Sequence, residues 1–597
     1  MQQVPQPLYV GKVIISNREP AKHNEFYVWI DKDVDIDVGS TFVVTEDGRN
    51  KIIGLVVDSE SRSTSADAID EYFSSNVGDP MADPLIDRRV IHIYKVRVMR
   101  RDPSITKPPT SRMKVRIADK RDIEFLNSMI EPKNRVVAGF IYGSPSYELS
   151  SREDPNNWIP LYYNAEYLAG PEGAHVMITG KSGLAAKTSY ALFLIFSFLN
   201  WARANNKRVA VIAFNVKHCD LFKLVKLLDL QTWDDVENLL RQRFTNRPDI
   251  ASDYIGLWKR LRQEFGLSSP TDLIPKDVNG NPMLYYWTYD KSGTKDVCIR
   301  NYLQQNPNVP VAEYKYGIAD LTIEELIEVL SGGDYKSLTS AQQEYVELLA
   351  SVIMDCIVNQ NSRLTINDIY NEALRVLTGT PNTKLHTLAF CGSSRLARDV
   401  ASQSTVRSVA RGIVNFINKN QSYGLELSNP TGNPIKGSNI REGINIIQLN
   451  SLSEAMQRLI FNSVLRQLEQ IQQSPARFDH VLIFVDELNK FAPKNYDSPI
   501  KRSIIEIAAR ARNLNIGLIG AQQFASFIDT EVYGNAATYI IGNTDDAELK
   551  NDEYDKFGDL KSLIPGLSQG EVIIYQLSSH YSPIKVRFPL MLHHLFR

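Results

Sequence analysis

Cysteine is scarce in this chain: among 597 residues there are four, Cys219, Cys298, Cys356 and Cys391, and no two of them form a CxxC pair. That spacing excludes the common zinc-ribbon patterns and argues against a disulfide framework, so the expected compartment is the reducing cytoplasm. An excess of charge of one sign is lacking too. Lys and Arg number 67 against 69 Asp and Glu, a formal net charge of −2. No global basic field announces nucleic acid, and any such contact has to come from a local ring or channel of Lys and Arg. Long apolar runs are absent as well. The most apolar helical stretch, Tyr190 to Ala202, is too short to span a bilayer, and MQQVPQPLYVGKV at the start has neither the charged nor the apolar region of a signal peptide. No low-complexity tract or internal repeat occurs. The hydrophobic content of 43% is ample for several cores in a chain of this length.

What is present begins with VLIFVDELNKFAP, Val481 to Pro493. Five apolar residues end in Asp486 and Glu487, which reads as a buried parallel strand delivering two carboxylates at its carboxyl end, where open α/β sheets bind ligands. An Asp there can hold Mg²⁺, and the next Glu can polarise a water for attack on a phosphate. Upstream, AHVMITGKSGLAAKTSY (residues 174 to 190) runs from a short apolar strand through a glycine-bearing turn into a long apolar helix. Strand, Gly loop, Lys-Thr and helix in that order form a phosphate-binding loop. Gly180, Gly183, Ala185 and Ala186 would wrap phosphates with backbone N–H groups, and Lys187, Thr188 and Ser189 open the helix. Lys187 reaches the terminal phosphates of ATP and the Thr188 hydroxyl sits on Mg²⁺.

The loop departs from the strict pattern. Gly180 lies one step too far from Lys187, and Ala186 stands where a second glycine is usual. Alanine resists the positive φ that glycine accepts, so this loop takes a different path around the phosphates. The rival triplet Gly180-Lys181-Ser182 follows the strand directly and leaves no room for a loop.

Four zones follow along the chain. Residues 1–103 hold short alternating runs such as EFYVWI, KIIGLVV and VIHIYKVRVM, separated by turn signals, which predicts a small β-barrel. Residues 104–170 form a connector. Residues 171–216 and 441–597 make an α/β P-loop core of RecA-like type with a mostly parallel sheet. Between them, 217–440 reads as a helical insertion, with capping boxes at Thr322/Glu325, Thr339/Gln342 and Thr365/Asp368.

A barrel, then LAGPEGAHVMITG, a helical insertion, VLIFVDELNKFAP, AARARNLNIGLIGAQQFAS and SQGEVIIYQ together resemble the HerA/FtsK branch of ring-forming P-loop ATPases, HerA in particular. The resemblance covers essentially the whole chain in order. It implies an ATP- and Mg²⁺-dependent DNA translocase or helicase working as a homohexamer with ATP between subunits. It also implies an effector such as a nuclease docked on the ring, in some bacterial members within antiviral defence, and no membrane span. Asp486 then matches the metal-side carboxylate and Glu487 the residue that activates water. Gln523 looks like the polar sensor of the γ-phosphate, with Gln522 the alternative, and Arg510 or Arg512 is the candidate finger reaching a neighbour's ATP. Arg395, Arg398, Arg407 and Arg411 could meet a DNA backbone, although such a face is more often solvated or paired with acids. Without a sequence-reading motif, DNA contact is expected to be to phosphates and salt-sensitive. The other reading kept open is a nucleotide-bound ring scaffold that regulates an effector without productive translocation. A conjugation or division pump fits less well, because it usually needs a membrane anchor.

Overall fold

The alternating run EFYVWI becomes a strand whose Phe26, Val28 and Ile30 all point inward, while the residues between them stay half-exposed. The computed structural model describes residues 8–63, 90–143, 149–170, 175–181, 187–304, 306, 308–359, 363–379, 388–391, 401–421, 423–495, 497–577 and 583–596. The chain divides into two compact units.

The first unit comprises residues 1–164, 244–264 and 541–589. Its barrel is built from β1 (Gly11–Ile14), β2 (Glu25–Ile30), β3 (Phe42–Glu46), β4 (Lys51–Ser63), β5 (Val90–Asp102) and β6 (Lys114–Ile117), closed in the order β1-β2-β5-β4-β3-β6. Val13, Phe26, Val28, Val43, Ile52, Val56, Val96 and Val115 fill its interior. The closing strand β6 pairs with both β3 and β1. It lies past residue 103, where the sequence placed the barrel's end; four residues reading KVRI are too short and too basic to stand out. The unit also holds an antiparallel run in which Glu571–Gln576, Ile584–Arg587, β7 (Arg135–Tyr142) and β8 (Trp158–Asn164) pair in that order.

The second unit comprises residues 165–243, 265–540 and 590–597. Its strands are β9 (Val176–Thr179), β10 (Val209–Asn215), β11 (Leu284–Thr288), β12 (Val311–Glu313), β13 (Gly443–Gln448), β14 (His480–Asp486), β15 (Ile516–Gln522) and β16 (Thr538–Ile541), in the order β12-β11-β13-β10-β14-β15-β9-β16. The pairings from β12 through β9 are parallel. Every residue of β10, β13 and β15 is buried, as expected of parallel strands covered on both faces. This mostly parallel α/β sheet is the core architecture expected from the sequence.

The helix leaving the phosphate loop, α1 (Lys187–Ala204), is buried on nearly all sides, which explains its uniformly apolar sequence. Residues 217–440 are not all helical: β11 and β12 lie inside that range and extend the sheet beyond β13. The helices there include α2 (Ile323–Leu330), α3 (Ser340–Val358), α4 (Ile366–Thr378) and α5 (Gln403–Asn420). The three capping boxes read from the sequence form at Thr322, Thr339 and Thr365. Downstream, α6 (Glu454–Gln472) precedes β14, and α7 (Pro499–Ala511) precedes β15.

The cysteines correct an expectation. Cys219 pairs with Cys298 and Cys356 with Cys391 in disulfides, across 79 and 35 residues. Separations of that size leave no local spacing to read, and only the fold brings each pair together. Among the described residues no helix is long and apolar enough to cross a membrane.

Candidate nucleotide site at the strand ends

Four neighbouring strands end on the same edge, and each ends in a polar residue. They are β9 at Thr179, β15 at Gln522, β14 at Asp486 and β10 at Asn215, with β15 standing between the phosphate-loop strand and the carboxylate strand. Thr179 is in register with Gln522, and Asp486 with Ala521. A ligand at this edge is therefore within reach of all four strands.

After β9, Gly180 has φ +152°, in the region only glycine adopts easily. Gly183, Ala185 and Ala186 lie outside the described residues. Lys187 opens α1 and is 6% exposed. Burial pushes its pKa below the usual lysine range, Lys217 adds to that, and the charges of Asp486 and Glu487 oppose it. Thr188 donates from Oγ1 to Asp486 Oδ2 at 3.4 Å. Ser189 is fully buried, and its hydroxyl has no hydrogen-bond partner among the described residues. The two segments read separately from the sequence thus converge on one edge.

Burial pushes the Asp486 carboxyl up, with Glu487 adding and Lys217 and Lys187 opposing. Its Oδ1 is buried without a hydrogen-bond partner among the described residues. One orphaned carboxylate oxygen beside a threonine hydroxyl is a donor set that fits Mg²⁺, which takes one or two protein oxygens and fills the rest of its shell with phosphate and water. Consistent with so sparse a set, no cluster of three or more His, Cys, Asp or Glu able to hold a metal occurs among the described residues.

Glu487 has φ +61°, a left-handed conformation that costs a non-glycine residue about 1 kcal/mol. Its N–H donates to Ala521 O at 2.7 Å, which ties the bend to β15. Lys217 Nζ pairs with its Oε1 and Lys490 Nζ with its Oε2, the latter at 2.6 Å. Although partial burial raises its pKa, these two lysines bring the net shift below the usual carboxylate range.

The adjacent glutamines differ sharply. Gln523 is exposed, whereas Gln522 is fully buried at the end of β15 with both amide atoms unpartnered among the described residues. Arg510 is 59% exposed and pairs with Glu469 at 3.4 Å. Arg512 begins a short 3₁₀ turn after α7. Arg407 donates to Gly379 O at 3.3 Å and Arg411 is exposed, both on α5; Arg395 and Arg398 lie outside the described residues.

Lys217, Lys490 and Asn215 were not singled out from the sequence. Lys217 lies two positions beyond β10, at the same sheet edge as Asp486, and that placement is the signal that could have found it.

Residues 284–468 match the family model described as helicase HerA, central domain. Over those residues the HerA resemblance is supported. The matched segment runs from β11 to within α6 and stops short of Asp486. Among solved structures, the plasmid coupling protein TrwB in complex with ADP and Mg²⁺ is similar at 10% identity, covering 80% of this chain and 92% of that one, with a TM-score of 0.43. VirB4 of Thermoanaerobacter pseudethanolicus is similar at 11% identity, covering 77% and 97%, with a TM-score of 0.42. The genome packaging NTPase B204 of Sulfolobus turreted icosahedral virus 2, in complex with ATP-gammaS, is similar at 16% identity over 25% and 70%, with a TM-score of 0.20. No curated protein sequence matches.

Proposed function

We propose that this protein hydrolyses ATP with Mg²⁺ and couples hydrolysis to movement along DNA, as its HerA resemblance implies. The observation that carries the reading is the meeting of Thr188 with Asp486, which joins the phosphate-loop helix to the carboxylate strand. Lys187 binds the terminal phosphates, and the loop around Gly180 cradles them. Thr188 and Asp486 would hold the metal. When bound, Mg²⁺ neutralises charge developing on the transferred phosphoryl group. Glu487 orients and polarises the attacking water. Gln522, buried at the strand end beside them, senses the terminal phosphate, with the exposed Gln523 the alternative. Arg510, exposed and paired with Glu469 at the surface, would exchange that partner for a neighbouring subunit's ATP, with Arg512 the alternative.

The assembly we propose is a homohexameric ring acting on duplex DNA where ATP is supplied. A nuclease or another effector acts with it, in the setting of bacterial antiviral defence. DNA contact is through phosphates and falls with salt.

ATP turnover with and without linear duplex DNA tests this. Wild type is expected to be stimulated by DNA, and Glu487→Gln to lose about 100-fold or more in rate while still binding ATP. Turnover that ignores DNA and survives Glu487→Gln would sink the proposal.

A second reading, a nucleotide-bound ring scaffold without productive translocation, draws on one observation: both oxygens of Glu487 are engaged by lysines. A scaffold would show little turnover and no response to DNA while still assembling with its effector.

A further inference from the structure

The double pairing of Glu487 is more than a surface ion pair, because the lysine that makes half of it is presented by a strongly braced loop. Lys217 follows the end of β10, the strand hydrogen-bonded to the Glu487 strand with Phe214 opposite Val485. Asn215 closes β10 and fixes the turn. Its Nδ2 donates to His218 O at 2.7 Å and to Gln448 Oε1 at 2.7 Å, and its Oδ1 accepts from Leu221 N at 3.3 Å. His218 takes the left-handed conformation at φ +42°.

The brace continues away from the site. Gln448 Nε2 donates to Asp296 Oδ1 at 3.0 Å, and Thr288 Oγ1 donates to Asp296 Oδ2 at 2.6 Å. Gln448, Thr288 and Asp296 are all buried. Cys219, two residues after Lys217, is disulfide-bonded to Cys298, whose N–H donates to Asp296 Oδ1 at 2.9 Å. The loop that carries Lys217 is thus fastened at both ends to the segment between β11 and β12. Buried polar networks that are this fully satisfied hold one geometry.

Among the described residues, the charged groups coupled to Glu487 include Asp486 from β14, Lys187 from α1, Lys217 from the braced loop, and Lys490 one short turn on. A carboxylate accepts a hydrogen bond from water only through an oxygen lone pair that is not already committed. With an ammonium on each oxygen, two of its four lone-pair sites are taken and its charge is neutralised by the lysines, so Glu487 is a weaker base and is poorly placed to orient a nucleophile. Of the two lysines, Lys490 is three residues away on the same short turn as Glu487. Lys217 comes from another strand, and its grip depends on where its loop is held.

We infer that Lys217 is a positioning residue that holds Glu487 in a resting orientation, and that hydrolysis requires Glu487 to leave it. An arriving terminal phosphate, itself anionic, competes for the Lys217 ammonium and gives Glu487 one free oxygen. The inserted segment sets the strength of the hold through Asn215, Asp296 and Cys298. This rests on the reading of the edge as an ATP-hydrolysing site.

The test compares wild type with Lys217→Met, Lys217→Arg and Lys217→Met/Glu487→Gln, using MgATP without DNA. Lys217→Met is expected to raise kcat about threefold or more and to raise KM as well, because the hold on Glu487 and the ammonium that the terminal phosphate engages are lost together. Lys217→Arg, which keeps a cation, raises it less. The double variant loses the gain, showing that the extra turnover passes through Glu487. A residue with a merely structural role would lower the rate on removal. If Lys217→Met turns over at or below the wild-type rate while Glu487→Gln is inactive, the hold is overturned and the ATPase reading survives. Thermal unfolding of nucleotide-free protein gives a readout independent of turnover. Lys217→Met and Glu487→Gln are expected to be non-additive in Tm, and strict additivity overturns the pairing. Non-additivity in a protein that hydrolyses nothing would leave the pair standing and remove the ATPase reading alone.

Discussion

Thr188 and Asp486 stand 298 positions apart in the chain, and the Thr188 hydroxyl donates to Asp486 Oδ2 at 3.4 Å. One comes from the first turn of a helix and the other from a strand end two places along the sheet. In the proposed reading the two oxygens also share a cation. Asp486→Asn keeps the shape and removes the charge, so ATP affinity in Mg²⁺ is expected to fall about tenfold or more, while affinity in EDTA changes little. Titration of a fluorescent ATP analogue under both conditions reads this. Equal losses with and without the metal would place Asp486 outside the metal shell.

The two glutamines after IGLIGA give a sharper contrast. Gln522 is buried with an unpartnered amide, a costly arrangement unless a ligand or water satisfies it, whereas Gln523 faces solvent. Gln522→Ala is expected to lower kcat by about tenfold to 100-fold, and Gln523→Ala to leave kcat within about twofold of wild type. Steady-state turnover of both variants at saturating ATP decides between them, and the reverse ranking would return the sensor to Gln523.

That pair also shows where sequence reading reaches its limit. The strand, its carboxylates, the lysine helix and three capping boxes were legible because each depends on residues within a few positions of one another. Which glutamine turns inward depends on where β15 ends, and a shift of one residue reverses the side chain. The pairings of Lys217 with Glu487 and of Cys219 with Cys298 join distant segments and leave no periodic trace. β6, β11 and β12 were missed for another reason. They are three to five residues long and are stabilised by their neighbours in the barrel or sheet rather than by a pattern of their own.

The insertion is fastened to the core by buried charge. Glu328 on α2 is 1% exposed and accepts from Arg458 on α6, with Arg458 Nε at 3.0 Å; Glu325, one turn earlier, accepts from Asn462 at 2.9 Å. Burial raises the pKa of Glu328, and Arg458 opposes the rise. Arg458→Ala strands the carboxylate, and a loss of about 3 to 5 kcal/mol is expected. Replacing both partners, as Glu328→Gln/Arg458→Met, is expected to cost clearly less. Denaturant unfolding of the two variants checks the ranking, and an Arg458→Ala loss below about 1 kcal/mol would show that the pair does not secure α2.

Acid sensitivity follows from His593 and His594. His593 is 1% exposed, with neither ring nitrogen hydrogen-bonded among the described residues, and the two rings lie 4.1 Å apart. Burial, then the charge of His594, pushes His593 well below the usual value of 6.5; burial lowers His594 to about 4, with Asp220 opposing. The unfolded chain therefore takes up protons near pH 6.5 that folded His594 refuses until about pH 4 and that folded His593, held neutral by burial, also refuses well below pH 6.5. The stability held by the neutral rings is complete above pH 6.5 and is lost as pH falls through that window. The slope is at most about 1.4 kcal/mol per pH unit for each ring. In Tm measured from pH 7.5 down to about 4.5, the double variant His593→Leu/His594→Leu is expected to fall more gently than wild type. Parallel curves would mean that both rings titrate alike in the folded and unfolded chain, and that some other group sets the acid limit.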